Sequence, residues 1–113
     1  MDKQDRYWFG ENYASKLGMF DTNTRQIREW TPPTPWSGPY PAVRDNNGDV
    51  WTAGMSTDYI YRLNPDTGAF IEYLLPTLSA NLRKIDADNS TTLVSIWVAE
   101  VHQGKLAKIE PQP

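Results

Sequence analysis

The chain has no cysteine, a single histidine and no long apolar run. Without cysteine there is no disulfide, no thiolate metal site and no thiol nucleophile. The compartment stays open, because cysteine-free chains occur on both sides of a membrane; the lean is to a soluble, secreted or periplasmic protein. No stretch approaches the ~18 apolar residues of a transmembrane helix, and no signal-peptide core opens the chain, so no membrane partner is expected. Positive charge is scarce as well. Lys and Arg number 11 against 14 Asp and Glu, a net charge of -3, and no basic cluster stands out. That excludes a surface built to track nucleic acid. Also missing are a glycine-rich phosphate loop, a serine nucleophile elbow and ligands at zinc spacing.

Aromatics are plentiful: 12% of 113 residues, with five Trp and six Tyr. Disordered chains are poor in such residues, so this one folds, and its length suits one small domain. Trp8, Trp51 and Trp97 lie 43 and 46 residues apart. A shift of 43 also sets Asp2 on Asp45, Leu17 on Ile60, Phe20-Asp21 on Leu63-Asn64 and Thr24 on Thr67. It sets Ile27 on Phe70, Glu29-Trp30 on Glu72-Tyr73 and Pro33 on Pro76. Around the third Trp, Ile96 to Glu100 answers Tyr7 to Glu11, and Lys105 to Glu110 answers Lys16 to Asp21. The three extra residues fit a longer turn within Asn89-Ser90-Thr91-Thr92. Register-locked matches of this kind predict a repeat.

Each copy holds short β-branched or aromatic runs between turn residues, which is strand and hairpin patterning. The complete copy predicts strands over Pro41 to Arg44, Asp49 to Ala53, Tyr59 to Asn64 and Ala69 to Leu74. Asp45-Asn46-Asn47-Gly48 and Pro65-Asp66-Thr67-Gly68 are the turns between them. The first of these faintly suggests a calcium loop, but without the long ligand spacing and closing Glu it reads as a hairpin turn. Nine prolines and no sustained helical period leave no room for a helix. Four antiparallel strands in about 43 residues describe a β-propeller blade, so the fold class is all-β. Residues 1–113 form one partial propeller domain with blade parts 1–33, 34–76 and 77–113. Ten strands are expected: three, then four, then three. Blades without neighbours leave an apolar face in water. The missing blades of a longer parent chain are therefore the expected partners, and the isolated chain is expected to be marginal or self-associating.

The blade text resembles the virginiamycin B lyase (streptogramin B lyase) family of seven-bladed propellers. The resemblance rests on Trp8 to Gly18, on Leu63 to Tyr73, on Ser37-Gly38-Pro39-Tyr40 and on Trp97 to His102. It implies opening of a cyclic depsipeptide ester by elimination, a carbon-oxygen lyase reaction. In the family a histidine removes a proton next to a carbonyl, and Mg2+ stabilises the negative charge that develops. Carried over by motif, His102 would be the catalytic base and Glu100 the magnesium ligand. Where the family carries a second histidine one blade earlier, this chain has Ser56.

Propeller topology gathers the loops after in-blade strands two and four on one rim. That rim would hold Glu100, His102, Met55 to Asp58 and Glu11 to Ser15. The inter-blade loops Thr31 to Pro41 and Leu75 to Asn81 join them. Trp36, Tyr40, Ser56 and Arg83 are the candidate ligand-binding residues there, for a small molecule or a peptide. For Trp36 and Tyr40 the other reading is a rigid proline-rich loop covering a blade junction; for His102 it is a solvent-exposed loop histidine. Two function classes follow. One is the magnesium-assisted lyase of a full-length parent, this chain alone being inactive. The other is a non-catalytic propeller module that binds a peptide, a glycan or a partner domain.

Overall fold

The computed structural model describes residues 4–11, 14–33, 39–54, 59–74, 82–89, 94–100 and 105–111, with the backbone alone at 39–41, 82–84, 99–100 and 105–107. Ten strands form three antiparallel sheets. The first holds β1 (Arg6–Glu11), β2 (Lys16–Asp21) and β3 (Gln26–Trp30). The second holds β4 (Pro39–Arg44), β5 (Val50–Gly54), β6 (Tyr59–Asn64) and β7 (Ala69–Leu74). The third holds β8 (Leu82–Asp88), β9 (Ser95–Glu100) and β10 (Lys105–Ile109). Strands in each sheet follow chain order, as short hairpin turns require, and no helix occurs among the described residues.

Turn chemistry explains the hairpins. Asp21 and Asn64 each open a turn by accepting two backbone N–H bonds on one side-chain oxygen. For Asp21 the donors are Asn23 at 2.9 Å and Thr24 at 3.3 Å; for Asn64 they are Asp66 at 3.0 Å and Thr67 at 3.3 Å. Each turn ends in a residue of positive φ, Arg25 at 61° and Gly68 at 78°. Only glycine adopts that conformation without cost. Asp45 closes the β4–β5 hairpin, accepting from the backbone N–H of Asn47 at 2.8 Å and of Asp49 at 3.1 Å. Its other oxygen accepts the Trp51 indole N–H at 2.7 Å, so a buried carboxylate ties the turn to the core. The sequence marks Asp45 only as a turn residue. The bond to Asp45 at Asp49 also starts β5 at Val50, one residue later than expected. Asn46 donates from its backbone to the Asn89 side chain at 2.9 Å, joining the second and third sheets at this end. The longer turn expected within residues 89–92 falls mostly outside the described residues.

The three sheets share one register. Trp8 pairs with Met19, Trp51 with Arg62 and Trp97 with Lys108. Trp8 stacks on Trp30 at 5.4 Å and Trp51 on Tyr73 at 5.6 Å between ring centroids. A cation lies over each of the three: Arg6 over Trp8, Arg62 over Trp51 and Lys108 over Trp97. Trp8 and Trp51 are buried, but Trp97 is only half-buried, against the expectation that all three are core. The reason is what covers them. No described strand follows β10, so among the described residues Trp97 has no counterpart of Trp30 or Tyr73 and no further sheet over it.

Two apolar clusters hold the sheets together. In one, Trp8, Leu17 and Met19 of the first sheet meet Val50 and Leu63 of the second. In the other, Trp51, Ala53 and Ile60 of the second sheet meet Ile85, Ile96 and Val98 of the third. Strand β4 contacts β1 on one side and β8 on the other, so the sheets fan out from their first strands. No helix among the described residues is long and apolar enough to cross a membrane.

Candidate functional site

Antiparallel order decides which residues share an edge. The C-terminal ends of β1, β5 and β9 bring Glu11, Gly54 and Glu100 to one rim, beside the N-terminal ends of β4 and β8. Glu11 pairs with Lys16 and Glu100 with Lys105, so the outer two sheets present the same Glu–Lys step.

Both inner strands are irregular at this rim. In β4 the pairing passes from Pro39↔Gly54 to Ala42↔Thr52, and in β8 from Leu82↔Glu100 to Lys84↔Ala99. Each step carries one extra residue on the inner strand, which is a β-bulge. Proline lacks the N–H that a regular ladder uses, and Pro39 and Pro41 flank the first bulge. Tyr40 therefore lies inside strand β4, not in the inter-blade loop where the density of prolines suggested it. Arg83, 43 residues on, lies in the equivalent bulge of β8. The sequence shows no sign of either bulge, because a bulge is defined by the partner strand. Its effect on the backbone is to set Arg83 beside Glu100. His102, Trp36 and Ser56 lie outside the described residues.

At this rim the described residues include Tyr59 and Leu74 of the second sheet and, in the first sheet, a group of charged side chains. Lys16 Nζ lies 3.1 Å from Glu29 Oε2, with both side chains well exposed. Burial pushes the Glu11 carboxyl above the usual glutamate value; the charge of Glu29 and a hydrogen bond with it add to the rise, while Lys16 pulls it down. Gly18 makes room for this arrangement. A Cβ there would stand 2.4 Å from Phe9 Cε2 and 2.8 Å from Glu11 Oε1. The result is a pair of neighbouring carboxyls, Glu11 and Glu29, with the Lys16 ammonium against Glu29. Among the described residues no group of three metal-ligating side chains occurs.

Solved structures with this arrangement exist. A streptogramin B lyase structure matches 99% of the chain at 30% identity, with a TM-score of 0.79. The chain folds as a section of a virginiamycin B lyase-like β-propeller. Selenomethionine-substituted virginiamycin B lyase from Staphylococcus aureus matches 96% of the chain at 31% identity and a TM-score of 0.73. A catalytically inactive virginiamycin B lyase from the same organism, with one histidine replaced by alanine and with quinupristin, matches 98% at 29% identity and a TM-score of 0.76. The chain spans about two-fifths of these lyases, between 39% and 40% of their length. No protein-family model and no curated protein matches it. The lyase-like fold gives the three sheets their meaning as adjacent blades, and it makes the edge with Glu11 and Glu100 one rim of a propeller.

Proposed function

We propose that this chain supplies part of the ligand-binding rim of a virginiamycin B lyase-like propeller. In a complete propeller it would contribute to opening a cyclic depsipeptide ester by elimination. The observation that supports the reading is the β8 bulge, where the backbone register carries Arg83 between Leu82, the partner of Glu100, and Lys84, the partner of Ala99. A guanidinium offers a planar fork of donors to carbonyl or carboxylate oxygens, and the carboxylate offers acceptors or a cation ligand. His102, two residues past Glu100, is the only side chain in the chain whose ordinary pKa suits a general base near neutral pH. Its role is to take a proton from the carbon next to the substrate carbonyl.

Glu100 is the residue that would hold magnesium. Magnesium binds proteins through one or two carboxylates and keeps several waters, so a single carboxylate at a strand end fits it, though weakly. When bound, the ion supplies positive charge where the carbonyl oxygen becomes negative. The other parts of the site must come from outside this section. The chain alone is therefore expected not to open streptogramin B with magnesium. In a longer propeller that contains it, His102→Ala should lower ring opening by ~10²- to 10⁴-fold, as loss of a general base does. Glu100→Gln should lower it and weaken its dependence on magnesium. An active propeller indifferent to both substitutions removes these residues from the site.

A second reading is a binding module without catalysis, for a peptide, a glycan or a partner domain. It is favoured by one fact: with Ser56 where the family has histidine, His102 stands alone. It predicts ligand binding that is independent of magnesium and sensitive to Trp36→Ala and Tyr40→Ala.

A further inference from the structure

The rim opposite Glu11 and Glu100 gathers two arginines from different sheets on one oxygen. Arg6 opens β1 and Arg44 closes β4, so antiparallel order brings both to this rim. Arg6 Nη2 and Arg44 Nη1 both donate to Oε1 of Gln4, an exposed residue. Nothing in the sequence links the two arginines; the contact of β1 with β4 joins them.

Each of the three groups is held from its own side. The backbone at Gln4 is tied to the β2–β3 turn. Its carbonyl accepts from Asn23 Nδ2 at 3.4 Å, and the Asp5 carbonyl accepts from the Thr22 N–H at 3.1 Å and hydroxyl at 2.6 Å. Arg6 lies over the Trp8 ring, 5.7 Å from its centroid. Arg44 lies against the β4–β5 turn, with Nη2 3.5 Å from where a Cβ of Gly48 would stand. Glycine, at a φ of 94°, puts no side chain over that guanidinium. Two carboxylates of the same hairpin are committed to other groups. Asp45 serves its turn and Trp51, and Asp49 pairs with Arg62.

An amide oxygen is neutral, and the two cations that share this one repel each other. An anionic oxygen at the same point would attract both, the pairing in which arginine hydrogen bonds are strongest. We propose that Arg6 and Arg44 form a binding site for a tetrahedral oxyanion, phosphate or sulfate, which takes the place of the Gln4 side-chain oxygen. Two cations match a doubly charged anion better than a carboxylate. A tetrahedral ion also offers each guanidinium oxygens of its own, and arginine forks bind such groups through paired N–H donors. The Gln4 side chain is long and exposed, so it can give way without disturbing the core. This site lies on the rim away from Glu100 and is independent of the reading proposed for that residue.

Calorimetric titration of the 113-residue chain with sodium sulfate and sodium phosphate, at an ionic strength fixed with sodium chloride, tests this. Saturable binding of a single ion is expected. Arg6→Gln and Arg44→Gln each remove one of the two cations and should weaken binding by about ten-fold or more. Gln4→Ala should bind at least as tightly as the parent chain. Gln4→Glu places a tethered carboxylate between the guanidiniums, so it should raise the melting temperature and abolish sulfate binding. Gln4 is exposed, so its two variants decide the matter even if the arginine variants do not fold. Phosphoserine in place of phosphate separates the two sources of the ion. Binding equal to that of phosphate assigns the end of an ester, and binding of phosphate alone assigns the free ion. Four results overturn the proposal: no saturable binding of either ion; binding unchanged in both arginine variants; sulfate bound by Gln4→Glu as tightly as by the parent chain; and a Gln4→Glu variant that melts below the parent, which would show that another carboxylate already neutralises the pair.

Discussion

Tyr7 and Val50 stand at the same register position of adjacent sheets, yet Tyr7 is 55% exposed and Val50 fully buried. Both follow the same strand pattern, and each sits one residue before its Trp. What separates them is the sheet on the other side: Val50 has the first sheet against it, and Tyr7 has none among the described residues. Burial in a stacked-blade fold is thus a property of position in the stack, and the residue's own hydrophobicity only permits it. The energetic consequence is that like positions should respond differently to the same substitution.

The sharpest form of that contrast is Trp51 against Ile27. Trp51→Ala removes a fully buried ring, its stack on Tyr73 and its bond to Asp45, and should cost about 3–5 kcal/mol. Ile27→Ala should leave the stability of the 113-residue chain within about 0.5 kcal/mol. Urea melts give both numbers. Equal costs would mean that the first sheet's outer face is covered.

Next in size is Asp45→Ala. It leaves the Trp51 indole N–H and two turn N–H groups without their acceptor, for about 1–3 kcal/mol. Asp45→Asn keeps an acceptor and should recover part of the loss. A melt unchanged by Asp45→Ala would show that the turn, not its bond to the core, carries this end of the sheet.

The fold was largely legible because strand alternation and turn residues are local. The expected bounds of β6 and β7 match those observed, and so does the order of three, four and three strands. The misses all depend on a partner. The prolines around Tyr40 point to a loop because prolines mark loops, whereas a bulge lets a strand hold them. Trp97 was expected in the core because it repeats Trp8 and Trp51, and repetition does not reveal what lies opposite. The bond from Asp45 to Trp51 did leave a trace, since Asp2 and Trp8 have the same spacing. At the rim, nothing in the sequence links Glu100 to Arg83; only the register of β8 on β9 brings their backbones to the same bulge. The pairing of Glu11 with Glu29 was not anticipated, as it joins the ends of β1 and β3 across β2.

A smaller effect sets the two equivalent turns against each other. Arg25 and Gly68 both hold positive φ, and the Asp21 carbonyl accepts from Arg25 N–H as the Asn64 carbonyl does from Gly68 N–H, at 2.7 and 2.8 Å. Arg25→Gly relieves backbone strain and should stabilise the chain by up to about 1 kcal/mol, after the entropy that glycine adds to the unfolded state. Gly68→Ala should cost about the same. Space is not the obstacle, since a Cβ at Gly68 would come no nearer than 3.9 Å to Trp30. A destabilised Arg25→Gly would show that the arginine side chain stabilises its turn by more than the strain.

The smallest expected effect is electrostatic and belongs to the first sheet's rim. Glu11 is held above its ordinary value of 4.5, first by burial and then by Glu29. A carboxyl with a raised folded-state pKa binds its proton more tightly folded than unfolded. Its contribution is therefore fully present in acid and is lost as pH rises through the raised value. Glu11→Gln should remove that fall, so the difference between parent and variant melts should grow on going from acid to neutral pH, in favour of the variant. Lys16 opposes the rise, so Lys16→Gln should push the Glu11 carboxyl further up and move the window to higher pH. The sheet with Gly54 at this rim position has no carboxylate there to titrate. Parallel profiles for parent and Glu11→Gln would mean that Glu11 is solvated and that Glu29 pairs with Lys16 alone.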